Sequence, residues 1–95
     1  MSTVIDGAVT ALNEKLSDGF TGVAKFVIPG EGAIIVDQNG ARASDEAADV
    51  TLTADADTFV AMLSGDLNPT NAFMGGKLTV DGDMGLAMQL GSYLA

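Results

Sequence analysis

The residues best equipped for chemistry in this sequence are its acids, and they form two close pairs, Asp55-x-Asp57 and Asp81-Gly-Asp83. Two carboxylates so near each other could hold a hard cation, or act as a general acid and base. Each pair falls where a strand gives way to a helix. There a carboxylate accepts from the free N–H groups of the first turn and complements the helix dipole, which accounts for it without any reaction. The sequence has no histidine and no cysteine. The usual general base, the activator of a serine nucleophile, the commonest metal ligand and every thiolate site or disulfide are thereby removed. Gly30-Glu31-Gly32 lacks the third glycine of a dinucleotide-binding turn, and Gly76-Lys77 lacks the rest of a phosphate loop. Asp45, Glu46 and Asp49 lie in a polar connection and read as solvated. No catalytic residue, metal ligand or cofactor is expected, and the chain does not read as an enzyme.

What remains is apolar. Phe59, Met62, Leu63, Phe73, Met74, Met84, Leu86, Met88, Leu90, Tyr93 and Leu94 crowd the second half of the chain. Such a set is ordinarily a plain core. Its methionines point further, because a flexible, polarisable thioether suits a surface that must adapt to varied apolar partners.

The elements that must position this set are legible in order. Val50 and Leu52 alternate with Thr51 and Thr53, the period of a strand with one buried face. Asp55 caps a helix with Phe59, Met62 and Leu63 as its stripe, and Gly65 stops it. Asn68 caps a second, short helix that has Pro69 at its first position, Ala72, Phe73 and Met74 on its apolar side, and Gly75-Gly76 at its end. Lys77 to Asp81 alternates as a strand, Gly82 turns the chain, Asp83 caps, and Met84 to Leu94 forms the last helix. On that helix Leu86, Leu90, Tyr93 and Leu94 share one side, while Met84, Ala87 and Met88 widen the apolar arc until only Gly85, Gln89 and Ser92 make a polar strip. A helix apolar over so much of its circumference must be covered on more than one side. One flank is expected on the sheet, and the other against a neighbouring helix, a partner chain or a bound apolar molecule.

Upstream, Thr3 with Asp6 resembles a capping box, and Ile5, Ala8, Leu12 and Leu16 give the helix after it one apolar face, with Asn13, Glu14 and Lys15 outside. Ser17-Asp18-Gly19 ends it. Gly22 to Ile28 and Ala33 to Asp37 read as a hairpin around Pro29 to Gly32, Gln38-Asn39-Gly40 as a second turn in which Asn39-Gly40 signals a tight hairpin, and Ala41 to Ala43 as a short edge strand. With no repeat or linker in residues 1–95, this order of elements predicts a single α+β domain, one sheet with helices on one face.

The second half also resembles a known family, the lipid-binding domain of sterol carrier protein type 2. The residues carrying the likeness are Phe59, Ser64-Gly65-Asp66-Leu67-Asn68-Pro69, Ala72-Phe73-Met74, Gly76-Lys77-Leu78, Gly82-Asp83-Met84-Gly85-Leu86-Ala87-Met88 and Leu90, in matching order and spacing. Val36-Asp37 and Asn39-Gly40 extend it more weakly. The resemblance implies a single mixed sheet of about five strands with helices on one face. It implies non-catalytic binding and transfer of a fatty acid, fatty acyl-CoA or sterol-like ligand in a cavity between sheet and helices. Phe59, Met62, Leu63, Phe73, Met74, Met84, Leu86, Met88, Leu90 and Tyr93 are the candidates to line it, with Gln89, Ser92 and Tyr93 nearest to a polar end. The chain departs from the family in ending just after the last matching helix, in Gly75 where a longer polar residue is common, and in Gln89 where Lys is common. An alternative function is a small acidic interaction module that offers the apolar flank of its last helix to a dimer or partner.

Net charge is −9, and the basic residues Lys15, Lys25, Arg42 and Lys77 are scattered. No footprint for nucleic acid exists in that pattern, nor one for electrostatic docking on anionic membranes. No apolar run approaches the roughly 18 residues that span a bilayer, so no stable membrane insertion is expected. With neither a secretory leader nor a Ser-Lys-Leu type terminus in view, a cytoplasmic monomer or weak homodimer is expected.

Overall fold

Strand alternation is realised residue by residue in the computed structural model, which describes residues 3–94. In β1 (Ala24–Ile28), Ala24, Phe26 and Ile28 are buried on one face while Lys25 and Val27 are half-buried on the other. It is joined by β2 (Gly32–Asp37), β3 (Gly40–Ala43), β4 (Val50–Ala54) and β5 (Leu78–Gly82) in one sheet of order β3-β2-β1-β4-β5. The β1–β4 pair is parallel and the others are antiparallel, so the sheet is mixed. After the β2–β3 turn the chain returns across the sheet to lay β4 along the free edge of β1.

Four helices cover the face that carries Phe26: α1 (Thr3–Lys15), α2 (Ala56–Ser64), α3 (Pro69–Met74) and α4 (Met84–Leu94). Ile5, Leu12, Phe59, Met62, Ala72, Leu90 and Leu94 from those helices form one cluster with Phe26, Ile34, Val36 and Leu52 from the sheet. Phe59 stacks obliquely on Phe26, ring centroids 4.9 Å apart. Burial of these side chains, at about 25 cal/mol per Å² of apolar surface, is what holds short helices of modest propensity in place.

Three details differ from the sequence expectations. Thr3 is already helical and does not serve as the cap of α1. The β2–β3 turn is made by Gln38 and Asn39, because Asp37 pairs with Gly40 in register. No described non-glycine residue has positive φ, and Gly40 takes φ 104° as it enters β3. Two interactions set this geometry. The Asp37 carboxylate accepts from the Asn39 N–H at 2.9 Å, and the Asn13 side-chain amide clasps the edge strand, donating to the Ala41 carbonyl and accepting its N–H. Asn13, expected on the outer side of its helix, is therefore spent on capping a sheet edge that would otherwise be open to pairing. Third, Asp45 and Glu46 are exposed but not merely solvated. Lys25 reaches Asp45 at 2.9 Å, and Arg42 bridges Asp37 at 2.8 Å and Glu46 at 3.2 Å. These pairs tie the polar connection to the sheet beside Ile35, which is fully buried although it points away from the helices.

Candidate functional site

One acid of each close pair is a helix cap, while Asp57 lies in the first turn of α2 and Asp81 in β5. Asp55 accepts from the Thr58 N–H at 2.8 Å, and that hydrogen bond holds its carboxyl below the ordinary aspartate range. Asp83 accepts from the Leu86 N–H at 3.1 Å, and Asn68 from the Thr70 N–H at 2.8 Å. No group of three or more metal-ligating side chains gathers among the described residues. These caps therefore do positional work: they launch α2, α3 and α4 over the sheet at set points, and Gly65, left-handed at φ 87°, lets the chain double back between α2 and α3.

Between α3 and α4 the sheet is left partly uncovered. Register puts Phe26 beside Leu52 and Leu52 beside Val80, so one apolar row crosses β1, β4 and β5. With Leu78 and Met62 it floors a cleft of about 590 Å³. Asn68, Pro69, Thr70, Phe73 and Met74 form the α3 wall; Met84, Ala87, Met88, Gly91, Ser92 and Leu94 form the α4 wall. Its size falls within the range of small-molecule sites, which are apolar pockets with a few placed polar groups. Here those groups are Asn68, Thr70 and Ser92, and no charged side chain among the described residues lines the cleft. The Ser92 hydroxyl is engaged, donating to the Met88 carbonyl at 3.3 Å. Around the mouth Phe73, Met74, Met84 and Met88 keep large apolar surfaces in solvent, Met74 being 78% and Met88 72% exposed.

Helical geometry decides which residues of α4 share this wall. At about 100° per residue, Met84, Ala87, Met88 and Gly91 fall on one side, and Leu86, Leu90 and Tyr93 on the opposite one. The two flanks inferred from sequence are thus both real: one packs into the fold and the other faces the cleft.

Of the candidate lining residues, the cleft gathers Met62, Phe73, Met74, Met84 and Met88. The remainder lie elsewhere. Phe59 is buried against Phe26, and Leu90 is fully buried in the core. Leu86 packs over Gly22, so closely that a Cβ there would meet its methyl groups at 2.8 Å. Tyr93 sets its ring edge-on to Phe20 at 6.1 Å. Leu63 joins Val60, Val4, Ala8 and Ala11 around a separate apolar groove of about 350 Å³ between α1 and α2. Gln89 is drawn off as well, accepting from the Thr21 hydroxyl at 3.3 Å. Sequence reasoning passed over Phe26, Leu52, Leu78 and Val80 because alternation shows that they face inward, not that they stand in a row under a gap. It also passed over Ala87 and Gly91. Their small size, at helical spacing with Met84 and Met88, is the signal that was available.

Comparison with known proteins brings in lipids. The model of the SCP-2 sterol transfer family matches residues 6–95. A hydroxysteroid dehydrogenase-like protein 2 from Danio rerio is 43% identical over 82 residues, covering 78% of this chain and 20% of that protein. Human sterol carrier protein 2 is 49% identical over 47 residues, covering 50% of this chain and 9% of that protein. The chain therefore spans about a fifth or less of the length of these relatives. Among solved structures, the sterol carrier protein-2 of Aedes aegypti in complex with a C16 fatty acid, palmitate, superposes with TM-score 0.81 at 27% identity, covering 100% of this chain and 97% of that one.

Proposed function

This chain belongs to the SCP-2 sterol transfer family, and from that premise we propose that it binds an apolar lipid in the cleft between α3 and α4, as a carrier and not as a catalyst. The observation that carries the reading is the apolar row Phe26–Leu52–Val80 lying under an uncovered gap walled by α3 and α4. An acyl chain laid along that row would withdraw its methylenes from water. About ten methylenes at roughly 0.8 kcal/mol each supply about 8 kcal/mol before the entropy of association is subtracted, which corresponds to micromolar affinity at best. With no charged side chain among the described residues of the lining, the polar end stays at the mouth near Asn68, Thr70 and Ser92, and the acyl chain dominates recognition. The same rim of Phe73, Met74, Met84 and Met88 supports a second reading, a face that pairs with another copy of the chain.

The deciding experiment is uptake of palmitate by delipidated protein, followed by native mass spectrometry and titration calorimetry. Saturable one-to-one binding, lost in Phe73→Asp with the fold retained by circular dichroism, is the expected result. A well-folded, delipidated protein that takes up no palmitate, acyl-CoA or sterol would end the carrier reading. A dimer that persists without lipid in light scattering would favour the second one.

A further inference from the structure

The rim of the cleft is built mainly from methionine. Met74 on α3 is 78% exposed, and Met88 and Met84 on α4 are 72% and 46% exposed, whereas Met62 on the floor of the same cleft is 1% exposed. Leucine would line an apolar wall with similar volume and a better-defined shape. A thioether adds what leucine lacks, a nucleophilic sulfur in reach of dissolved oxidants. The chain has no cysteine and no tryptophan, so the thioethers are its most readily oxidised side chains. Those on the rim converge on one site.

We propose that Met74, Met84 and Met88 form a peroxide-sensitive rim, oxidised while the cleft is empty, shielded while it is full, and weakening the hold on lipid once converted to sulfoxide. This inference rests on the carrier reading above. In the step itself the Sδ lone pair attacks one peroxide oxygen. An S–O bond forms, the O–O bond breaks, and the departing hydroxide takes the remaining proton as water. Sulfur loses two electrons and the peroxide gains them, with no help required from an acid, a base or a metal. Sulfoxide is polar where the thioether was not. On the empty rim it is solvated, so the fold is indifferent to it. Against an acyl chain it must give up its water without a protein donor in return, which weakens binding on the order of tenfold for each sulfoxide held there. The change is reversible, because reductases specific for each sulfoxide epimer restore the thioether.

The test treats delipidated protein with hydrogen peroxide, removes the oxidant, locates added oxygen by peptide mass spectrometry, and measures palmitate affinity by calorimetry beside a thermal melt. Met74 and Met88 should oxidise well before Met62, and saturating palmitate should slow them. The oxidised protein should melt as before yet bind at least tenfold more weakly. The triple variant Met74→Leu, Met84→Leu, Met88→Leu should keep, after peroxide treatment, whatever palmitate affinity it had before. Oxidised protein that keeps its affinity overturns the proposal, as does a leucine variant that loses as much affinity on treatment as the parent. Untreated protein that binds no palmitate, acyl-CoA or sterol refutes the carrier reading itself, an outcome visible before any peroxide is added.

Discussion

Gly91 offers a way to move stability and binding in opposite directions. It lies on the cleft wall of α4, where a Cβ would meet nothing nearer than the Pro69 Cβ at 3.8 Å, an ordinary contact, and it is not among the positive-φ glycines. Replacing a helical glycine with alanine gains up to about 1 kcal/mol. For a domain of this size that raises the melting temperature by roughly 4–8 °C. Leucine at the same position keeps most of the helix gain and pushes four carbons toward α3, into the space assigned to the ligand. If it displaces three or four methylenes at about 0.8 kcal/mol each, palmitate affinity falls on the order of a hundredfold. Thermal melts followed by circular dichroism and calorimetric titration of palmitate read the two effects separately. Gly91→Ala should be more stable than the parent and bind a few-fold more weakly, and Gly91→Leu should stay folded and bind hardly at all. A folded Gly91→Leu protein with unchanged affinity would show that the chain does not lie between α3 and α4, and the placement of the site would have to be abandoned.

Other outcomes follow from the same coordinates. Leu90→Ala removes a fully buried side chain from beneath α4 and should destabilise by about 2–5 kcal/mol in urea titration. Gly19→Ala should destabilise by roughly 1–3 kcal/mol from backbone strain alone, since Gly19 sits at φ 81°, and a Cβ there would also run into the Gln38 carbonyl; thermal melting checks it. Asp37, held by the Arg42 guanidinium and the Asn39 N–H, and Asp55, held by the Thr58 N–H, both titrate below the ordinary aspartate range. Their folded pKa values are depressed, so the stability they contribute is complete above about pH 4 and is lost as pH falls through the folded values. Urea midpoints from pH 2 to 7 should show that loss. Asp55→Asn, which keeps a cap but cannot titrate, should flatten part of it.

Most of the local structure was legible because its causes are local. Asp55, Asn68-Pro69 and Gly65 mark helix ends through hydrogen bonds and dihedrals that involve only near neighbours. The alternation in Val50–Ala54 and Leu78–Gly82 names a buried face for the same reason. The second turn is one residue shorter than Gln38-Asn39-Gly40, because Asp37 pairs with Gly40 in the ladder and the Asp37 carboxylate holds the Asn39 N–H. Asp45 read as free because its partner Lys25 lies twenty residues upstream on β1, whereas Glu46 pairs with Arg42 only four residues away.

The sequence by itself determined that this chain has no histidine or cysteine chemistry, where α2 and α3 begin and end, where α4 begins, and that α4 is apolar on two flanks. Composition and short-range periodicity suffice for those. Only the tertiary structure decided that β4 runs parallel to β1, that Phe26, Leu52 and Val80 therefore stand in line, and that Met84 and Met88 face the gap while Leu86, Leu90 and Tyr93 close the other side. The physical reason is that a period states which face of an element is buried but not against what. The space that makes a site is the part that no element fills.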